Sequence, residues 1–329
     1  MGELGVRVVR NGIFVPAGTI SKFDLVYDEN LKLVDESVLR RYESREDISR
    51  GPQQLDERLI SSSKIVDEKL VFLGWYDVTH YGHWLTEGLS RFWYLQSQCP
   101  EDYKVPISWS MRRVLKRIRD LGFQRKKVHW PCAFQAFGIS SKHLLHIWGP
   151  IRAKEIHIPE CSMINRAMVH EEHLAVTRKI SQHLVDIDSL AHDGRPVYLS
   201  RTKLGRGVHG YVGEQPIEDY CRKAGYLIVH PEELSLKAQI EMFNQHDTFV
   251  GLIGSAFHSV MFRLPGRVAK CIYLTDGTPR TNCVNIDKLM RNDSIYLRCC
   301  DYEWRNDRTF RCDEKIAINL LSQLDCVGH

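Results

Sequence analysis

The second half of the chain alternates apolar runs with segments of helical patterning, and this regularity limits the possible folds most strongly. The apolar runs cover 197–201, 226–229, 248–252 and 268–274, with helices predicted between them at 215–224 and 236–245. Such alternation over about eighty residues predicts an α/β fold with a parallel, doubly wound sheet. A ligand is then expected at the carboxyl ends of the strands.

The length of the chain favours a globular protein of two domains or of one large domain. The chain has 329 residues, and its 45 basic residues against 41 acidic ones give a net charge of +4. This small excess argues against a dedicated nucleic-acid binder. The sequence shows neither a secretory signal pattern nor an apolar run of about eighteen residues. We therefore expect a cytoplasmic protein without a nucleic-acid partner.

The ten cysteines are scattered along the sequence and form no Cys-x-x-Cys motif. Without a secretory signal, free thiols in a reducing compartment are favoured over a disulfide framework. A structural zinc site is not expected either, because the usual ligand spacing is missing.

A composition change near 185–195 predicts a domain boundary. We expect a first domain over 1–190, a second, Rossmann-like domain over 191–312, and a C-terminal helix in 313–329. That helix is predicted to begin at Asp313 as N-cap and to be able to pack back on the first domain. Its predicted apolar face consists of Ile316, Leu320, Leu321 and Leu324.

The loops after the predicted strands carry residues suited to an anionic ligand. Arg201 ends the first strand, and Arg206 and Glu214 follow it around a glycine-rich loop. Guanidinium groups bind phosphate oxygens in a fork geometry, although solvated surface arginines are an open alternative. Glu232, after the next strand, is expected either to accept hydrogen bonds from a ribose or to stabilise a helix start.

The third loop, "GLIGSAFHS", combines glycines with a predicted helix start. Gly254 allows the backbone to approach a ligand, and free N–H groups at the helix start favour a phosphate. A plain strand-to-helix turn is the alternative. The candidate ligand-binding residues here are Gly254, Ser255, Ala256, Phe257 and His258.

The most unusual segment of the first half is "DVTHYGHWLTEGLSRFWYL", which is predicted to be helical to about Gln98. His83 and Glu87 are four residues apart and therefore share a helical face. They suit general base catalysis. Two alternatives stay open, a metal site that also includes His80 and a structural His–Glu pair.

Four motifs in this order, "YGHWLTEGLSRFWYL", "VYLSRTKLGR", "HPEELSLKAQIEMF" and "FVGLIGSAFHSVMF", resemble glycosyltransferase family 61 over roughly residues 70–275. The resemblance implies a GT-B fold, in which two Rossmann-like domains face a cleft and the second holds the nucleotide sugar. It also implies inverting chemistry without a catalytic metal or other cofactor.

The resemblance also assigns roles. Glu87 is the first choice for the base and His83 the second, and the donor is expected to contact Arg201, Arg206 and the residues named above for the three loops. The chain departs from the family pattern at Ile253, where many members have histidine. Eukaryotic members carry a signal anchor that this sequence lacks, so a bacterial, cytosolic member is expected.

A basic segment at 111–127, "MRRVLKRIRDLGFQRKK", predicts a helix with one apolar face. A solvated helix packed on the sheet is the simpler interpretation. The other is peripheral contact with an anionic membrane or a lipid-linked acceptor.

The sequence thus predicts an inverting, metal-independent glycosyltransferase that moves a sugar from a nucleotide donor, UDP-linked in most family members, to a hydroxyl of a glycan acceptor. Surface polysaccharide synthesis is the expected context. A non-catalytic nucleotide- or sugar-binding protein on the same fold is the alternative.

Overall fold

The structure is a computed structural model that describes residues 2–41, 46–47, 51–61, 63–74, 80–97, 99–108, 129–204, 211–303 and 309–324. The chain divides into two compact units, Met1–Ile180 and Ser181–His329. Both units combine helices with β-sheets, which confirms the α/β prediction. None of the described helices is long and apolar enough to cross a membrane.

The first unit contains a six-stranded mixed sheet. Its strands lie in the order Leu25–Tyr27, Val6–Val15, Ile151–Pro159, Lys64–Val71, Tyr103–Ser108 and Leu144–Ile147. The last four run parallel to one another, whereas Val6–Val15 is antiparallel to both of its neighbours. Phe14, Phe72 and Ile156 are buried in one core cluster of this sheet.

Shorter elements complete the first unit. Two small antiparallel pairs are Arg40–Arg41 with Glu46–Asp47 and Met163–Ile164 with Met168–Val169. The α-helices are Tyr81–His83 and Trp130–Ala136, and a third helix, Glu171–Leu184, begins in this unit and ends in the second. Short 3₁₀ helices are Asp35–Ser37, Glu57–Leu59, Phe92–Gln96 and Ser141–His143.

The prediction of one continuous helix to about Gln98 is wrong. The turn Tyr81–His83 continues into a π-helical turn, Trp84–Gly88, in which the amide of Leu89 donates to the carbonyl of Trp84 at 3.1 Å. Gly88 weakens a regular helix at this point. A Cβ on Gly88 would lie 2.9 Å from Cζ2 of Trp130, so the glycine makes room for that indole. We conclude that packing of the Trp130 ring against Gly88 accompanies the break in the regular helix at this point.

The second unit contains a five-stranded sheet in which every paired strand is parallel. The spatial order is Leu227–Val229, Val197–Leu199, Thr248–Leu252, Lys270–Thr275 and Asp293–Arg298. In chain order this is 2-1-3-4-5, so the predicted parallel sheet is present with one strand more than the sequence indicated. We call these the first to fifth strands of the parallel sheet, numbered in chain order.

The helices of the second unit follow the strands closely. They are Glu214–Lys223, Leu236–Gln245, Thr281–Met290 and Glu314–Ser322, with 3₁₀ turns at Ile187–Ser189, Pro231–Glu233 and Ser255–Phe262. Ser235 is the N-cap of the helix Leu236–Gln245, and its side chain accepts a hydrogen bond from the amide of Ala238 at 3.1 Å. A small sheet of Tyr211–Val212, Thr309–Cys312 and Cys300–Glu303 completes the unit.

The C-terminal helix begins as predicted, with the side chain of Asp313 accepting from the amide of Ile316 at 3.0 Å. Its predicted apolar face is partly wrong, because Ile316 is 47% exposed. The buried face instead consists of Ala317 and Leu321, which lie in the core of the second unit with Ile217.

Candidate functional site

The first group of candidate residues lies on the irregular turn of the first unit. Nδ1 of His83 is 2.8 Å from Oε2 of Glu87. The Glu87 side chain is only 1% exposed, whereas that of His83 is 27% exposed. The predicted contact across one turn is therefore present, with the carboxylate on the inside and the imidazole nearer to solvent.

Asn165, which the sequence did not indicate, completes this group. Its Nδ2 donates to Oε1 of Glu87 at 3.1 Å, and the residue is 8% exposed. Asn165 lies between the two strands of a short antiparallel pair, 78 positions from Glu87 in the sequence. Both carboxylate oxygens of Glu87 thus have a nitrogen partner, and the carboxylate is held in one orientation.

Hydrogen bonds from Ser162 in a neighbouring loop and from His173 in the helix Glu171–Leu184 fix the turn that carries Glu87. The Ser162 hydroxyl donates to the carbonyl of Ser90 at 2.7 Å. The buried His173 donates from Nε2 to the carbonyl of Leu85 at 2.9 Å, and its Nδ1 lies 2.9 Å from the Ser162 hydroxyl. Burial lowers the pKa of His173 to about 4, so its ring is neutral at physiological pH. The buried, neutral His173 and the Ser162 hydroxyl therefore hold the turn that carries Glu87 in one conformation.

His80 has a local structural role next to this group. Its Nδ1 accepts from the amide of His83 at 3.4 Å and so caps the turn. In the part of the chain that the structure describes, no group of three or more His, Cys, Asp or Glu side chains is placed to hold a metal ion. The alternative of a metal site built from His80, His83 and Glu87 therefore finds no support in the geometry.

The second group lies at the carboxyl end of the first strand of the parallel sheet. Oε1 of Glu214 accepts from the backbone amide of Arg201 at 2.9 Å and from the hydroxyl of Tyr198 at 3.2 Å. Glu214 is 4% exposed, and burial, opposed by these hydrogen bonds, raises its pKa to about 7. Glu214 therefore supports the strand end that carries Arg201.

Arg201 and Gly254 lie side by side, although 53 positions separate them in the sequence. A Cβ built on Gly254 would come within 2.4 Å of Nη1 of Arg201. The two residues follow the first and third strands, which are neighbours in the sheet. This is where the strand order reverses, the position at which open parallel sheets bind ligands.

A helix begins after Gly254, as the sequence predicted. This helix, Ser255–Phe262, is a 3₁₀ helix, which is wound more tightly than an α-helix. Phe257 is 1% exposed and packs on Tyr273 with ring centroids 4.4 Å apart, while His258 is 8% exposed. Ser255 and Ala256 are partly exposed, as Gly254 is. Among the five candidates of this loop, Phe257 is thus a core residue.

Glu232 lies in the 3₁₀ turn Pro231–Glu233, after the second strand. Its Oε1 is buried, and the described residues offer that atom no hydrogen-bond partner. Arg206 and the basic segment 111–127 lie outside the described residues. The structure therefore brings together Arg201, Gly254 and Glu214 in one unit and His83 and Glu87 in the other.

Comparison with known protein families gives a match. The model of the family described as Glycosyltransferase 61 matches residues 81–271, more than half of the chain. The matched range contains His83, Glu87, Asn165, Arg201, Glu214 and Gly254. No curated protein sequence matches the chain.

Proposed function

Since this chain belongs to glycosyltransferase family 61, we propose that it transfers a sugar from a nucleoside diphosphate donor to a hydroxyl group of a glycan acceptor, with inversion at the anomeric carbon. An inverting transferase needs one group that takes the proton of the attacking hydroxyl. It also needs positive charge or N–H donors near the departing diphosphate. The two groups of candidate residues match these two requirements.

The orientation of His83 against Glu87 is the observation that carries the proposal. Because Nδ1 of His83 faces the carboxylate, the opposite ring nitrogen, Nε2, is the atom that exchanges a proton with the acceptor. Glu87 is buried and already bound through both oxygens, so it is poorly placed to take that proton itself. We therefore assign the base to His83 and the orienting role to Glu87, the reverse of the first choice from sequence.

The carboxylate also stabilises the product of this step. Once His83 has taken the acceptor proton, its imidazolium charge lies 2.8 Å from an oxygen of Glu87. Opposite charges at this distance attract each other, so the carboxylate compensates the charge formed in this step. Asn165 contributes by holding the carboxylate through its other oxygen.

Arg201 supplies the charge for the donor side of the proposal. Its guanidinium lies beside Gly254, and the backbone from Gly254 to Ala256 is partly exposed next to it. A guanidinium next to accessible backbone amides suits the two phosphates of a UDP-sugar without a metal. Arg206 is proposed to add a second positive charge, and Glu232 to contact the nucleoside.

The finer features implied by the family resemblance belong to the same proposal. These are a GT-B fold, a role in surface polysaccharide synthesis, and a cytoplasmic location with peripheral membrane contact through 111–127. None of them is needed for the chemistry at His83.

The test is a transfer assay with the purified chain, a panel of UDP-sugars and glycan acceptors, in the presence of EDTA. We expect UDP release that depends on the acceptor, and a product whose anomeric configuration, read by NMR, is opposite to that of the donor. A retained configuration would contradict the inverting mechanism, and activity lost in EDTA would contradict metal independence. Binding of UDP without consumption of any UDP-sugar would instead support the non-catalytic alternative.

A further inference from the structure

Two buried cysteines face each other across the small sheet of the second unit. Cys300 and Cys312 are direct register partners on the antiparallel strands Cys300–Glu303 and Thr309–Cys312. Their Sγ atoms are 2.9 Å apart, and both residues are 3% exposed. The scattered cysteines of the sequence did not indicate this pairing, because it depends on the register of two strands.

The backbone hydrogen bonds show that this position in the sheet suits a disulfide. The amide of Asp313 donates to the carbonyl of Cys299 at 2.8 Å, which makes residues 299 and 313 a hydrogen-bonded pair. The next pair along the ladder, Cys300 with Cys312, is then of the non-hydrogen-bonded kind. Such pairs have Cα atoms about 4.5 Å apart, within the range of about 4.4–6.8 Å that a disulfide spans.

The sulfur separation favours a disulfide over a shared metal ion. Two thiolates on one tetrahedral zinc ion, with Zn–S bonds of about 2.3 Å, lie about 3.8 Å apart. Cys300 and Cys312 are much closer than that. The sulfur of Cys299, the neighbour in sequence, is 3.9 Å from that of Cys300 and thus farther away than the sulfur of Cys312. The geometry therefore selects the pair of Cys300 and Cys312.

We infer that Cys300 and Cys312 form a disulfide when the folded chain meets a disulfide oxidant such as oxidised glutathione. One cysteine thiolate attacks a glutathione sulfur and releases the first glutathione thiolate. The second cysteine thiolate then attacks the mixed disulfide and releases the other glutathione. The two protons of the cysteine thiols pass to the two glutathione thiolates, so two electrons reduce one oxidised glutathione to two thiols.

The disulfide would link the strand Thr309–Cys312 covalently to its neighbour, and this strand contacts the helix start that holds Arg201. A Cβ on Gly213 would lie 2.5 Å from the carbonyl oxygen of Cys312, so the backbones of these residues are in close contact. Gly213 is the N-cap of the helix that begins with Glu214, the residue that holds the Arg201 amide. Any effect of oxidation on donor binding rests on the proposed function, whereas the bond itself does not.

Peptide mapping tests the disulfide without reference to activity. The purified chain is incubated with oxidised glutathione or with dithiothreitol, remaining thiols are alkylated, and the digest is read by mass spectrometry. We expect a linked peptide pair containing Cys300 and Cys312 after oxidation, and none after reduction. Alkylation of both residues after oxidation, or a link from Cys299 instead of Cys300, would overturn the inference.

Thermal unfolding gives a second readout. Closing a short loop in the unfolded chain should raise the melting temperature of the oxidised protein by roughly 5–10 °C over the reduced one. Cys312→Ser should remove this difference, while Cys161→Ser, at a partly exposed free cysteine elsewhere, should keep it. If Cys312→Ser does not fold, the comparison of oxidised and reduced wild-type protein still decides. Equal melting temperatures, together with an unlinked peptide map, would sink the proposal.

Discussion

Nδ1 of His83 lies 2.8 Å from Oε2 of Glu87, and the two side chains differ sharply in exposure, 27% against 1%. A buried carboxylate beside a partly exposed imidazole fixes which nitrogen faces outward. The carboxylate also lies next to the positive charge that forms when the ring takes up a proton. The pair is therefore arranged as a base and its orienting carboxylate, with His83 as the base on the exposed side and Glu87 as the buried carboxylate.

We predict that Glu87→Gln lowers kcat by about 100-fold or more, because a neutral amide neither orients the ring in the same tautomer nor stabilises its charge. His83→Ala should lower kcat to background, and added imidazole should restore part of it. His146→Ala, at an exposed histidine of the same unit, is the control and should leave kcat unchanged. These values come from initial rates of UDP release at saturating donor. Substantial activity in His83→Ala without imidazole would return the role of base to Glu87.

Asn165 provides a second test, because its amide separates a positioning role from simple packing. Asn165→Asp would place two carboxyl groups about 3.1 Å apart. Like charges at this distance favour sharing one proton, and the protonated pair resembles the native amide and carboxylate. We therefore expect the kcat of Asn165→Asp, relative to wild type at the same pH, to be higher near pH 5.5 than near pH 8. A pH-independent ratio would show that Asn165 acts through packing alone.

The sequence predicted the contact between His83 and Glu87 because an i, i+4 spacing survives even when the turn is π-helical rather than α-helical. It could not predict Asn165, whose contact depends on the tertiary position of a hairpin 78 residues away. Local spacing and tertiary packing likewise account for the different positions of Gly254 and Phe257. Both belong to one motif, yet the 3₁₀ geometry turns the Phe257 ring into the core against Tyr273.

Regular periodicity explains why the second unit was predicted better than the first. The strand Thr248–Leu252 and the helix Leu236–Gln245 have the bounds that the sequence indicated, since capping and apolar runs are local signals. The mixed sheet of the first unit joins Val6–Val15 to Ile151–Pro159, and such distant pairing leaves no local pattern. Tertiary packing, as at Gly88 and Trp130, decides the remaining elements.

Gly254 offers a test of the donor side through steric exclusion. Gly254 has an extended backbone, with φ of −179°, so alanine causes no backbone strain there. Its Cβ would nevertheless come within 2.4 Å of Nη1 of Arg201 and should displace the guanidinium. We predict that Gly254→Ala raises the KM for the UDP-sugar by about 10-fold, the loss of roughly one charge-assisted hydrogen bond.

Gly194→Ala is the matched control for this substitution. A Cβ on Gly194 meets nothing within 4 Å, so the same chemical change should leave the KM unaltered. Both constants are measured from initial rates at varied donor concentration, with circular dichroism to confirm folding. An unchanged KM in Gly254→Ala would show that Arg201 does not contact the donor in the proposed way.

The buried carboxyl of Glu214 should make the stability of the second unit depend on pH. Burial raises its pKa from 4.5 to about 7, so between these values the folded state keeps a proton that the unfolded state has lost. Stability therefore falls as pH rises through this window, by an amount on the order of 3 kcal/mol, and changes no further above it. Glu214→Gln keeps an oxygen for the Tyr198 hydroxyl and the Arg201 amide, but it has no proton to lose. Denaturant unfolding across this pH range should show the loss in wild type and in the exposed control Asp188→Asn, and a flatter profile in Glu214→Gln. The same slope in all three proteins would mean that another group carries the pH dependence.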